Sequence, residues 1–367
     1  MNTSTQTPEL SDSAAALREG VERALSEFLT VDYWHRLESA GEESAWDAEL
    51  WQLITELAIP ELLVEESLGG AEASLLEATG ALEALGALAV PAPAAEVMIA
   101  SWCASKAELA LPATTVTLGP CMPQDHVTLT TNDCGIRLTA DMRGIPFARH
   151  CSAIVLQGTL NGATVTCALP TDTKGVSLEP QSSLNGEARD RVIVDTTLST
   201  AQVSDAIAID VLRASAAMRS IQMSSALNAS LNMCVDYVTE RKQFGRPLAK
   251  FQAIQQQLAV MAALTTSAQV SARQAFVTLT DPTSPTAVAA AKIATGQAAS
   301  QGTAIAHQVH GAMGFTAEYG LHRLSRRLWT WREEFGNETW WSRQLGDMSL
   351  NAGAGGLWDL LIDEPAT

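Results

Sequence analysis

Two changes of hydrophobic periodicity limit what this chain can fold into. From residue 11 to 112 apolar side chains recur at three- and four-residue steps. In "SAAALREGVERALSEFL" the stripe is Ala16, Val21, Ala24, Leu25 and Phe28, and in "WDAELWQLITELAI" it is Trp46, Leu50, Leu53, Ile54 and Leu57. "PELLVEESLGGAEAS" breaks the pattern at Pro60 and Gly69-Gly70, and "LLEATGALEALGAL" restores it. From 113 to 203 the pattern changes to short β-branched runs: "TTVTLG", "HVTLTT", "GIRLTA", "SAIVLQG", "ATVTCALP", "GVSLEP" and "DRVIVDTT", separated by Gly, Asn, Asp and Pro. After 203 helix spacing returns and persists.

The expected architecture is α+β multidomain. It comprises a disordered tail at 1–10, an N-terminal α-helical domain at 11–112, and a central antiparallel β domain at 113–203, a small sandwich or barrel. A C-terminal helical bundle at 204–367 completes it. The helix after "ERKQFGRP" is expected to carry Phe244, Leu248, Phe251, Ile254, Leu258 and Met261 on one face.

Composition narrows the function classes. With 41 acidic against 23 basic residues the net charge is −18, which opposes nucleic acid as a partner, because phosphate backbones need a basic face. No stretch approaches 18 uninterrupted apolar residues, so no membrane span is expected, and no signal-peptide pattern is visible at the N-terminus. The six cysteines (Cys103, Cys121, Cys134, Cys151, Cys167, Cys234) have no metal-type spacing and read as reduced, structural thiols of a cytoplasmic protein.

Two motifs carry chemistry. "ERKQFGRPLAKFQAIQQQLA" sets Arg241, Gln243 and Phe244 at a break between two long helices, and "QVHGAMGFTAEYGLHRLSRR" runs from Gln308 to Arg327. Together with the looser "PELLVEESLGG", and with the helix, strand, helix order, the chain resembles the acyl-CoA dehydrogenase family over nearly its full length. The first motif is similar to that family's Arg-x-x-Phe-Gly segment followed by Phe-Gln-x-x-Gln. The second is similar to its Gln-x-x-Gly-Gly-x-Gly-[Phe/Tyr]-Thr-x-Glu block.

The resemblance implies FAD at a subunit interface. Arg241, Gln243, Phe244, Gln308, Gly311 and Ala312 would then contact the cofactor of a neighbouring subunit. An Arg fork suits a pyrophosphate, and a Gly permits close backbone approach. Ala312 stands where the family usually has a second Gly.

The reaction that the resemblance implies, α,β-dehydrogenation of an acyl-CoA thioester, needs a carboxylate base. Counted without gaps, Phe335 occupies the position of the family's commonest base in "LWTWREEFGNETWW", with Glu334 and Glu333 one and two residues early. At the alternative position on the long helix the chain has Ser215. The family's Thr-Glu-Pro-x-Ala-Gly-Ser-Asp loop is replaced by "TLGPCMPQDHVTLTT", and Phe147-Ala148 falls roughly where a flavin-facing Trp is found.

The chain therefore looks like the base-lacking subunit of bacterial heterotetrameric, steroid-side-chain-type acyl-CoA dehydrogenases. Such a subunit completes the FAD site of an unlike, base-carrying partner. The alternative is a self-sufficient homotetramer using Glu334, or Glu333, as a displaced base. Electron-transfer flavoprotein is the reoxidant that the resemblance implies. The Arg-rich run Arg323, Arg326, Arg327 and Arg332 reads as a solvated or interfacial face.

Overall fold

Capping chemistry sets the start of the third helix. Asp47 has an extended backbone, and its carboxylate accepts the N–H groups of Glu49 and Leu50, so the helix begins one residue after it. The structure, a computed structural model, describes residues 11–40, 46–111, 115–133, 135–205, 209–281, 284 and 286–362. The tail expected at 1–10 and Cys134 lie outside the described residues. Five helices come first: α1 (Asp12–Phe28), α2 (Val31–Ala40), α3 (Ala48–Glu56), α4 (Leu75–Ala87) and α5 (Ala94–Lys106). The buried stripe of α1 is Ala14, Val21 and Leu25, while Ala16, expected on it, is exposed.

Eight strands follow: β1 (Val116–Gly119), β2 (Val127–Asn132), β3 (Gly135–Pro146), β4 (Ala153–Leu160), β5 (Ala163–Pro170), β6 (Val176–Glu179), β7 (Arg189–Leu198) and β8 (Val203–Ser204). All seven β-branched runs became strands. They pair in the order β6-β7-β3-β2-β4-β5-β8, with β1 beside β4. The expectation of a purely antiparallel sheet is corrected, because β4 runs parallel to both β1 and β2. Composition cannot supply strand direction, and β1 is buried on both faces, which removes the alternation that marks a one-sided strand. β3 does alternate. Its buried Ile136, Leu138, Ala140 and Met142 face inward, while Arg137 forks onto Asp195 at 3.0 Å and Asp141 receives Arg191 at 2.7–2.8 Å across the exposed face.

The remaining elements are α6 (Val211–Glu240), a two-stranded hairpin of β9 (Lys242–Gln243) and β10 (Arg246–Pro247), α7 (Gln252–Val277), α8 (Ala287–His310), α9 (Leu321–Glu333) and α10 (Glu338–Ile362). By packing, the chain forms two compact units. One comprises the described residues of 1–22, 79–89 and 217–367, and the other those of 23–78 and 90–216.

In the first unit α6 is enclosed on every side from Ala217 to Leu227, and its neighbours are small. Ala226, Ala268, Ala298 and Ala299 share one core cluster with Met223, Leu227, Leu324, Leu328 and Trp331. The buried face of α7 is Met261, Thr265, Ala268, Ala272, Ala275 and Phe276. This corrects the expected stripe. The helix begins only at Gln252, so Phe244 and Leu248 precede it, and of the six residues named only Met261 is fully buried.

In the second unit α5 is buried from Ala94 to Ala104. Arg149 donates to Asp190 there, and Arg189 lies 3.0 Å from Glu187 and 3.7 Å from Glu96. Among the described residues no helix is long and apolar enough to cross a membrane.

Helices α4 and α6 touch backbone to backbone. A Cβ added at Gly86 would lie 2.5 Å from the carbonyl oxygen of Gln222, whereas one at Gly20 of α1 would meet nothing within 4 Å. Gly86→Ala is expected to lower stability by about 1–3 kcal/mol through forced separation of the helices. Gly20→Ala should raise it by about 0.5–1 kcal/mol through helix propensity. Urea unfolding midpoints measure both.

Candidate functional site

The two motifs singled out in the sequence both end in loops that face outward. In the first, α6 stops at Glu240 and the chain turns through the β9–β10 hairpin, whose corner is Phe244-Gly245 with φ of +51° and +77°. Both corner residues need a positive φ in this kind of tight hairpin, which Gly accepts readily and Phe does not. The strained conformation holds the Phe244 ring outward, at 92% exposure, with its nearest aromatic neighbour, Phe251, 6.2 Å away. Arg246 covers Phe251, its guanidinium carbon 4.2 Å from the ring centre. Arg241 and Gln243 are exposed, and their side chains have no hydrogen bond or ion pair among the described residues.

In the second motif α8 ends at His310. Gly311 follows with φ +60° and ψ −138°, a conformation that favours glycine, and a Cβ there would meet nothing within 4 Å. Gln308, Gly311 and Ala312 are exposed. His310, inside the motif, is buried and structural. Its Nδ1–H donates to the Ala306 carbonyl at 2.8 Å, its Nε2 accepts from the Tyr319 hydroxyl at 3.0 Å, and Tyr237 packs 4.6 Å from its ring. Burial lowers its pKa, which keeps the ring neutral.

The structure roots both loops in one apolar cluster. Cys234, Val238, Met261, Ala306, Val309 and Leu321 form it, with Tyr237, Leu248 and Ile254 packed against it. The hairpin and the Gln308–Ala312 turn thus project from a common rigid base, one placing a free cation and an aromatic ring outward, the other open backbone.

The carboxylates are elsewhere. Glu333 closes α9, is exposed, and accepts from Asn337 Nδ2 at 3.0 Å. Glu334 is 4% exposed, and its carboxylate lies 2.8 Å from the guanidinium of Arg219, itself 1% exposed. Arg219 sits over two aromatic rings, 5.0 Å from the centre of Trp331 and 5.5 Å from that of Phe335, and donates to Gln222. Phe335, at the position of the expected base, is fully buried with φ +56°. Its carbonyl accepts Trp341 Nε1–H at 2.9 Å. Lys292, buried at the same corner, donates from Nζ to the backbone carbonyl of Glu334 at 2.7 Å and lies 3.3 Å from that of Trp331. Burial pulls its pKa down to about 7, against the opposing pull of Glu334.

Arg219 and Lys292 were missed in the sequence. The available signal was a charge inside an otherwise apolar helical stretch, in "SAAMRSIQM" and "AVAAAKIAT". A buried charge of that kind requires a partner.

In the second unit Phe147 points inward. It is 1% exposed, its N–H donates to Ala188 at 3.1 Å, and the Arg189 guanidinium lies 5.6 Å from its ring centre. Trp46 packs beside it at 6.4 Å and stacks on His150 at 5.3 Å. The loop 120–126 borders an open cleft of about 290 Å³ that Asp125, His126, Gln157 and Val211 also line. Ser215 is fully buried. The five described cysteines are free and buried; desolvation raises the thiols of Cys167 and Cys234 to about 12, so they are uncharged and unreactive. Among the described residues no cluster of metal-type ligands occurs.

With this geometry in view, the class is clear. Residues 206–339 match the family described as acyl-CoA dehydrogenase, C-terminal domain, and the chain has the acyl-CoA dehydrogenase fold. Its particular relatives can then be named. The ChsE4-ChsE5 complex from Mycobacterium tuberculosis contains a chain with TM-score 0.84 at 19% identity, covering 95% of this chain and 99% of that one. A variant of the Tcur3481-Tcur3483 steroid ACAD gives 0.83 at 19%, covering 94% and 100%. Acyl-CoA dehydrogenase IpdE2 of Mycolicibacterium smegmatis is 25% identical over 292 residues, 78% of this chain and 83% of that protein. A shorter match, 38% identical over 97 residues, spans only 25% of the length of the curated relative concerned.

Removing one member of a buried ion pair strands the other. Glu334→Ala is therefore expected to cost about 3–5 kcal/mol of stability. The apolar pair Arg219→Met with Glu334→Leu should cost much less, because no charge is left uncompensated. Guanidinium unfolding of the two variants against the parent chain checks the difference.

Proposed function

We propose that this chain is a subunit of a flavin-dependent acyl-CoA dehydrogenase that completes the FAD site of an unlike partner subunit and supplies no catalytic base. The observation that carries this reading is the commitment of Glu334. Its carboxylate is buried against Arg219, and Phe335 fills the position where the family's commonest base stands. A base must reach a substrate carbon, and a buried carboxylate engaged by an internal arginine is not presented to one.

The residues at the two outward loops fit FAD. Arg241 offers an unpaired fork of donors and Phe244 an exposed flat face. Gln243, Gln308 and the open backbone at Gly311 and Ala312 add polar contacts of the kind an ADP moiety needs. When bound, FAD supplies the hydride acceptor for oxidation of a saturated acyl chain. The chain's own residues would hold the diphosphate and shield it from water, and the proton of the substrate would leave to a carboxylate of the partner. The inward-facing Phe147, covered by Trp46 and Arg189, supports the same division, since it leaves no outward aromatic there for a flavin ring of this chain's own.

The similarity to paired proteins and to a steroid ACAD supports an unlike acyl-CoA dehydrogenase chain as partner and a steroid-derived acyl-CoA as substrate class. The order of helices, strands and helices along the chain is the basis for a division at 11–112, 113–203 and 204–367. Electron-transfer flavoprotein is the expected acceptor, and the cytoplasm the expected compartment.

Purified alone, the chain should be colourless, and it should gain flavin absorbance on co-purification with an unlike acyl-CoA dehydrogenase chain. Arg241→Ala in that heteromer should weaken flavin retention roughly 10- to 100-fold, the worth of one charge-assisted contact. A chain that is yellow on its own, bleached by an acyl-CoA and inactivated by Glu333→Gln, would instead make it a self-sufficient enzyme.

A further inference from the structure

We infer that Lys292 is a proton-responsive clamp on the corner joining α9 to α10, tightening it at alkaline pH and loosening it below neutrality. The geometry is of a single amine set against the open end of a helix. The last carbonyls of α9 have no partners within the helix, and Lys292, reaching across from α8, gathers them. Its Nζ is 2.7 Å from the Glu334 oxygen, 3.3 Å from that of Trp331 and 3.4 Å from that of Arg332. Positive charge at a helix C-terminus is favourable, but this site is dry: Lys292 is 1% exposed.

The charges around it nearly cancel. Glu334 is held by Arg219 of α6, and Arg332 of α9 by Glu338 of α10. Glu333 is turned to solvent. Helix α7, also packed on α8, carries one titratable side chain, Arg273, which Glu83 engages at 2.7 Å. Glu334, Glu338 and Glu333 favour the ammonium form and Arg219 opposes it, but burial outweighs them, so the ammonium form carries a net desolvation cost that the amine form does not. Either form donates to the carbonyls.

The direction of the response follows from the depressed pKa of about 7. Between about pH 7 and the ordinary lysine value of about 10.4, an opened, hydrated corner binds the proton and the closed corner does not. Closing is therefore favoured as pH rises through that window. Below about pH 7 both states hold the proton and the closed corner carries the full cost. The corner is well placed to report this, because Phe335 and Gly336 have φ of +56° and +86° and are pinned by Trp341. The inference does not rest on the flavin reading.

Hydrogen exchange of the amides at 329–342, corrected for the intrinsic rate and followed from pH 5.5 to 9 in the full chain, tests it. Protection should begin to rise near pH 7 and gain up to about tenfold per pH unit toward pH 9 in the parent chain, while amides of β3 show no step. Lys292→Met should be protected and flat with pH, and Glu333→Gln should keep the step. If Lys292→Met fails to fold, Lys292→Arg, charged throughout, should hold the corner at its low-pH level at every pH. Absence of a step in the parent chain, or the same step in either Lys292 variant, overturns the clamp.

Discussion

The ion pair between Arg219 and Glu334 organises the buried corner where α6, α8, α9 and α10 meet. Two charges placed where water is excluded carry a large desolvation cost, and only close geometry with further partners offsets it. Here the guanidinium is paired at 2.8 Å and bracketed by the rings of Trp331 and Phe335. The consequence is a fixed corner. Phe335 and Gly336 take positive φ, Trp341 holds the Phe335 carbonyl, and Lys292 closes the end of α9. Helices α6, α8, α9 and α10 are joined there by polar contacts inside an apolar surround.

The chain uses its cations in two opposite ways. Arg219 and Lys292 are turned inward and satisfied within the fold. Arg241 is turned outward beside an exposed Phe244, on a hairpin whose corner holds Phe244 at positive φ. Strain of this kind persists only where the surroundings impose it and usually accompanies a function. The shared apolar cluster beneath the hairpin and the Gln308–Ala312 turn gives both loops the rigidity that a recognition surface needs. Inward commitment of the carboxylate and outward presentation of the arginine are the two features on which the proposed assisting role rests.

Much of the fold could be read from periodicity. The seven β-branched runs became strands, and the Pro- and Gly-free stretch before Glu240 became the 30-residue α6. Periodicity failed where burial is complete or where tertiary contacts override spacing. β1 and the first half of β4 are buried without alternation, so nothing in them declares that they pair in parallel. Phe244 continues the apolar spacing of α7 by count, yet the positive φ at its own position and at Gly245 turns the chain before the helix begins. The helix ends that carry Arg241, Gln308 and Gly311 were legible because a break in spacing and a glycine are local signals.

By itself, the sequence determined the order of helices and strands, the two loop motifs and the absence of a carboxylate in register with the expected base. These are local properties, set by spacing along the chain and by the residue types present. Only the tertiary structure decided that Glu334 faces inward, against Arg219. That outcome depends on Arg219, 115 positions earlier in the numbering, arriving at the same buried corner. Pairing between such distant side chains is a product of packing, and no local pattern encodes it.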